Sequence, residues 1–193
     1  MKRTLQVLMA AAGLALLAAP AQALPHWAAN MSGQNEIPAN NSPATGFTFV
    51  TLNGDDLTVD VNWSGLTGGT PGAAHIHCCV APHTVNIGVA VGFTGFPATT
   101  SGTYHHVFDL TQSSVYTAGF LANFGGGTAA GAEAALIAGL DAGNAYSNIH
   151  NSVFPGGEIR GLLVGVPEPA SMAIFGVGLV ALGFVRRRKP QRA

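Results

Sequence analysis

The sequence predicts an all-β fold, an antiparallel β-sandwich with one short helix, and three observations carry that expectation. Apolar residues alternate over short stretches, as in Leu57-Thr58-Val59-Asp60-Val61-Asn62-Trp63, the period of a strand buried on one face. Gly, Pro and Asn separate these stretches, and Gly alone supplies 26 of the 193 residues without a collagen-like repeat. Only 9% of residues are charged, which excludes a highly charged disordered chain.

The elements follow in order. His26 to Ser32 reads as the first strand, and Gly46 to Leu52 as the second, with Phe47, Phe49 and Val50 giving it apolar weight. Asn53-Gly54-Asp55-Asp56 is a hairpin turn, because Asn-Gly accepts positive φ. Leu57 to Trp63 returns as a half-buried antiparallel strand. Ala73 to Cys79, Asn86 to Gly92, Thr103 to Leu110, Ala145 to His150 and Glu158 to Val164 complete the set. Gly131 to Leu140 is the one helical stretch, rich in Ala and Leu. Nothing between Leu24 and Val166 divides this region, which has the length of one ordinary domain.

The two ends read as addresses. Lys2 and Arg3, the apolar run Leu5 to Ala19 and the small-residue site Ala21-Gln22-Ala23 have the plan of a secretory signal peptide, residues 1–23, with Ala23 the last residue removed. At the other end Pro167-Glu168-Pro169 precedes a second apolar run, Ala170 to Val185, and then Arg186-Arg187-Arg188-Lys189. Sixteen helical residues reach roughly 24 Å against a hydrocarbon core of about 30 Å, so a transmembrane helix needs its flanks or local thinning to span. The basic cluster should stay cytoplasmic, which leaves the domain outside. An N-terminal signal helix and a C-terminal transmembrane helix are thus expected to flank the β-domain, residues 24–166.

Charge divides the same way. The formal net charge of −1 averages basic ends and an acidic middle. Between Leu24 and Val166 one basic residue, Arg160, stands against eight acidic residues, a net charge near −7 with His neutral. Such a segment has no electrostatic footprint for nucleic acid. Glu158 and Arg160 lie two apart on a predicted strand and share a face, so a structural ion pair is expected there.

Chemistry is concentrated in histidine. His75 and His77 put both rings on one face of a strand, with Ile76 on the other. Neutral imidazoles at this spacing suit Zn or Cu. His150 lies on another predicted strand, and an approach of the two would make a three-nitrogen site with an open position. Read structurally, the same rings would hydrogen-bond backbone, Asn or Glu groups. Cys78 and Cys79 follow at once, and export allows a vicinal disulfide, thiolate ligation, intermolecular bridging or two free thiols. Cys79 would share the face of His75 and His77, which makes it the better ligand of the two. His106 should face the core with Tyr104 and Phe108, whereas His105 should be solvated. No nucleophile elbow, metalloprotease helix, phosphate loop or dinucleotide fingerprint occurs, so no catalytic residue is expected.

Two resemblances add to these readings. Ser32-Gly33-Gln34-Asn35-Glu36-Ile37-Pro38, Trp63-Ser64-Gly65-Leu66, Ala74-His75-Ile76-His77, Ala145 to His150 and Pro155 to Gly161 occur in the order of the chordin-type CHRD domain, which the region 26–164 resembles. The resemblance implies an all-β extracellular domain, binding protein in chordin, with no settled activity for bacterial members. A Greek key of immunoglobulin-like or superoxide-dismutase-like type would fit. The last 27 or so residues resemble the PEP-CTERM sorting signal of Gram-negative bacteria. That resemblance implies exosortase processing, transient residence in the inner membrane, and release or attachment at the cell surface, in the company of exopolysaccharide and surface proteins. The expected function is therefore a non-catalytic binding or structural module of the envelope or extracellular matrix. The alternative is a Cu or Zn protein or redox enzyme built on His75, His77 and His150.

Overall fold

The computed structural model describes residues 24–67, 71–80 and 85–167. The signal peptide with Ala23, the apolar run after Pro167, Glu168 and Pro169, and His83 lie outside the described residues. Among the described residues no helix is long and apolar enough to cross a membrane.

Among the described residues nine strands form the domain: β1 His26–Ser32, β2 Thr45–Asn53, β3 Asp56–Ser64, β4 Pro71–Cys78, β5 Val89–Gly92, β6 Gly102–Asp109, β7 Ala145–Asn151, β8 Ile159–Leu162 and β9 Val164–Gly165. Every pairing is antiparallel. The strands do not divide into two separate sheets. They run in one path, β5-β4-β7-β8-β1-β2-β3-β6, with β9 beside β1. β8 makes the path continuous, because it pairs with β7 on one side and meets β1 at Ser32 and Arg160 on the other. The sheet curls until its ends approach: Phe93, just past β5, stacks on Tyr104 of β6 with centroids 5.4 Å apart, and Val91 bridges Tyr116.

The core follows the alternation. Leu57, Val59, Val61 and Trp63 of β3 are buried against Trp27, Ala29 and Met31 of β1 and Val50 and Leu52 of β2 within one cluster. In β2 the register differs from the apolar weight of the sequence. Thr48, Val50 and Leu52 face inward, while Phe47 and Phe49 take the other face, half-buried. Thr48 is tolerated inside because its hydroxyl donates to Ser147 Oγ at 2.9 Å. On β6, Tyr104 and Phe108 are buried with half-buried His106 between them, and exposed His105 meets Asp60 at 2.7 Å.

The predicted helix is present as α2 (Ala129–Asp141), capped by Thr128, whose hydroxyl accepts from Gly131 N–H. It buries Ala132, Leu136, Gly139 and Leu140 at helical spacing. A second helix that the sequence did not signal, α1 (Ala118–Asn123), precedes it and buries Phe120. At six residues it has too few positions to print a period.

Candidate metal centre

The sheet path places β4 beside β7, and that pairing builds the site. In register, His75 faces Asn148, His77 faces Tyr146 and Ala73 faces His150. Residues two apart on a strand share a face. His75 and His77 therefore project with Tyr146, Asn148 and His150 from one side of this ladder. The three imidazoles converge: centroids are 5.2 Å apart for His75 and His150, 5.5 Å for His75 and His77, and 6.0 Å for His77 and His150. One ring nitrogen from each lies within 4.8 Å of the others.

Backbone carbonyls fix which nitrogens face inward. His77 Nδ1 donates to Ile87 O at 2.7 Å, and His150 Nδ1 donates to Pro155 O at 3.0 Å. A carbonyl can only accept, so both rings carry the proton on Nδ1 and leave a lone pair on Nε2. His77 Nε2, His150 Nε2 and His75 Nδ1 are buried and have no hydrogen-bond partner. Burial holds His75 and His77 down to about 4, well below the ordinary imidazole value, with His150 as a further charge on both. Burial lowers His150 as well, against the pull of the Pro155 carbonyl. All three are neutral at pH 7, the state that ligates metal.

Rigid neighbours hold the rings. Tyr146 stacks on His77 with centroids 4.5 Å apart and planes 8° from parallel. Its hydroxyl accepts from Ile87 N–H at 3.4 Å, the residue whose carbonyl holds His77. The Arg160 guanidinium carbon sits 4.3 Å from the centroid of the Tyr146 ring. On the outer side, His75 lines an open cleft of about 360 Å³ with Gly72, Gly92, Phe93 and Phe96. Gly92 leaves space beside the ring, since a Cβ there would lie 3.9 Å from His75 Cδ2.

Two sequence expectations are corrected. Arg160 does not pair with Glu158. Its Nε donates to Glu36 Oε2 at 2.8 Å, both groups being buried, and an Nη donates to Asn86. The strand begins at Ile159, so the same-face rule does not reach back to Glu158. That carboxylate instead accepts from Ser42 Oγ, from Thr67 N–H and hydroxyl, and from Asn151, tying two loops to the end of β7. Cys79 is not a free thiolate ligand: it is disulfide-bonded to Cys78 across a cis peptide bond, the vicinal alternative. It also lies past the end of β4, where strand alternation no longer sets its direction.

The sequence contained the three His but not their supports. Ile87 and Pro155 act through backbone carbonyls, which no side-chain pattern reveals. Asn148 carried a signal, being two residues before His150 on the same strand. Glu36 is 124 residues from Arg160 in the chain, and only the fold joins them.

Residues 27–163 match the CHRD domain. The chain belongs to the CHRD family. Its C-terminal part, residues 165–189, matches the PEP-CTERM protein-sorting motif. That motif implies exosortase processing and sorting of the secreted CHRD protein to the cell surface. No curated protein and no solved structure matches the chain.

Proposed function

We propose that this protein is a surface-displayed CHRD module that holds a divalent transition-metal ion, Zn or Cu, at His75, His77 and His150, and works by binding rather than by catalysis. One observation carries the reading: three buried imidazole nitrogens without hydrogen-bond partners converge, two of them fixed as lone pairs by carbonyls on the opposite ring nitrogen and the third, His75 Nδ1, a lone pair in the tautomer protonated on Nε2. A cluster of acceptors alone calls for a cation. Imidazole on an ion at about 2.1 Å permits a nitrogen separation of at most about 4.2 Å. A pair at the 4.8 Å limit would close by roughly 0.6 Å, within reach of small ring rotations. The carbonyl partners supply the orientation that carboxylates give in many metal sites.

The envelope setting supports the same reading. Residues 1–23 would direct export, residues 24–166 would form the module, and residues 167–193 would pass through the inner membrane until an exosortase acts. An acidic module on the cell surface or in the extracellular matrix attracts cations and has no nucleic-acid partner. Its curled antiparallel sheet is compatible with the Greek-key plan expected from sequence. A redox enzyme is the second reading, favoured by the open cleft beside His75, which would let a small molecule reach a bound copper ion.

Metal analysis of the purified exported protein tests the proposal. The expected result is close to one equivalent of Zn or Cu, with affinity falling at least about tenfold in His75→Ala. Stoichiometry far below one, unmoved by the substitution, overturns it. Copper-dependent turnover of a one-electron donor would favour the second reading.

A further inference from the structure

The three imidazoles are not the whole of this acceptor cluster. A fourth buried polar atom on the same ladder has no partner: Asn148 Oδ1, on a residue only 1% exposed. Asn148 stands directly across from His75 and two residues before His150, so its side chain leaves the same face as all three rings. Directly opposed side chains start about 4.5–5.5 Å apart, so Asn148 leaves the ladder beside His75.

The orientation of that amide is fixed from behind. Asn148 Nδ2 donates to Glu36 Oε1 at 2.8 Å. The other oxygen, Glu36 Oε2, accepts from Arg160 Nε. A carboxylate paired with a guanidinium can only accept, so Asn148 must turn its nitrogen toward Glu36. The carbonyl oxygen is thereby left on the other side. A buried acceptor without a partner is costly, and a flipped amide would place two acceptors against each other. Three of the four orphan atoms are fixed as acceptors, and the fourth, His75 Nδ1, is one in the tautomer protonated on Nε2, a set that a cation, bare or hydrated, meets fully.

We infer that Asn148 is the fourth polar group of the metal site, presenting its carbonyl oxygen to the bound ion or to a water on it, and that the buried Glu36–Arg160 pair sets this orientation. The inference rests on the metal reading above and adds a residue, and a reason for the ion pair, to it. It also gives the site a neutral oxygen beside three neutral nitrogens, so the bound ion keeps its full positive charge, a setting that retains water or a small anion.

The test uses the full chain in detergent, stripped of metal, and Zn(II) or Co(II) salts as the only probes. Zn(II) added to the wild type should move the Asn148 side-chain amide resonances in step with the three imidazoles, complete at one equivalent. Asn148→Ala should weaken Zn(II) binding on the order of 10- to 100-fold and alter the Co(II) visible spectrum. Glu36→Gln, which can donate to Asn148 and release its orientation, should weaken binding in the same direction. The idea is sunk if His75→Ala loses the ion while Asn148→Ala keeps wild-type affinity and spectrum, an outcome that leaves the metal reading intact. It is also sunk if the Asn148 amide stays still while the imidazoles shift, a result the wild type alone can give should the variant not fold. If the wild type and His75→Ala bind equally weakly, the metal reading falls and takes this inference with it.

Discussion

At the residue scale, the buried pair of Glu36 and Arg160 matters most to the fold around the site. Burial raises the Glu36 pKa, and Arg160 pulls it back down. Breaking such a pair from one side leaves a buried charge without a partner, which costs roughly 3–5 kcal/mol. Glu36→Ala should therefore lower stability by about that amount in chemical denaturation, whereas Glu158→Ala should act through the loops of Ser42 and Thr67 and the end of β7 at Asn151. Unchanged melting of Glu36→Ala would show that the pair is dispensable. The imidazoles predict a pH effect in the metal-free protein. Burial pushes His75 and His77 down to about 4 in the fold, from the ordinary imidazole value of 6.5. Between those values the unfolded chain binds more protons, so stability must fall as pH drops from about 6.5 toward 4 and level off below. His75→Gln should flatten part of that slope, as read by melting temperature against pH. An identical profile in wild type and variant would contradict the burial of His75 as a neutral ring.

At the scale of elements, strands were the legible part. β1, β2, β3 and β6 fall within one residue of their expected positions, because alternation and turn residues are local signals. β5 is shorter than expected: residues 86–88 leave the ladder, Ile87 turning its carbonyl to His77 and Asn86 reaching Arg160. The expected strand Glu158 to Val164 became β8 and β9, interrupted at Leu163. Gly161 in β8 explains why this strand can lie so close to β1. A Cβ there would sit 2.5 Å from the Asn30 carbonyl oxygen and 2.8 Å from its carbon, backbone atoms that cannot swing aside. Gly161→Ala should destabilise the domain by about 1–3 kcal/mol through overpacking. A melting curve matching wild type would mean that β1 and β8 slide apart at no cost.

At the scale of the whole molecule, charge and address are bound together. The 193-residue chain has a sequence pI near 6.6. If both basic ends are removed, as proposed, one basic residue faces eight acidic ones, so the processed form should focus well below the full chain. Isoelectric focusing of the two forms checks this, and equal positions would show that the basic tail is retained. The last described strand, β9, ends at Gly165 against β1, two residues before Pro167. The matched sorting motif, residues 165–189, thus overlaps the end of the last described strand.

The sequence by itself determined the class of fold, the strand pattern, the acidic middle between basic ends, and the three histidines with their shared faces. These are properties of short stretches, where periodicity and charge are local. Only the tertiary structure decided that β4 lies beside β7, that carbonyls of Ile87 and Pro155 select the ring nitrogens, and that Arg160 answers to Glu36. Those contacts join residues far apart in the chain through the order of strands and through backbone atoms. No side-chain pattern encodes either, because a backbone carbonyl is the same in every residue and strand order is settled only when the sheet closes on its core.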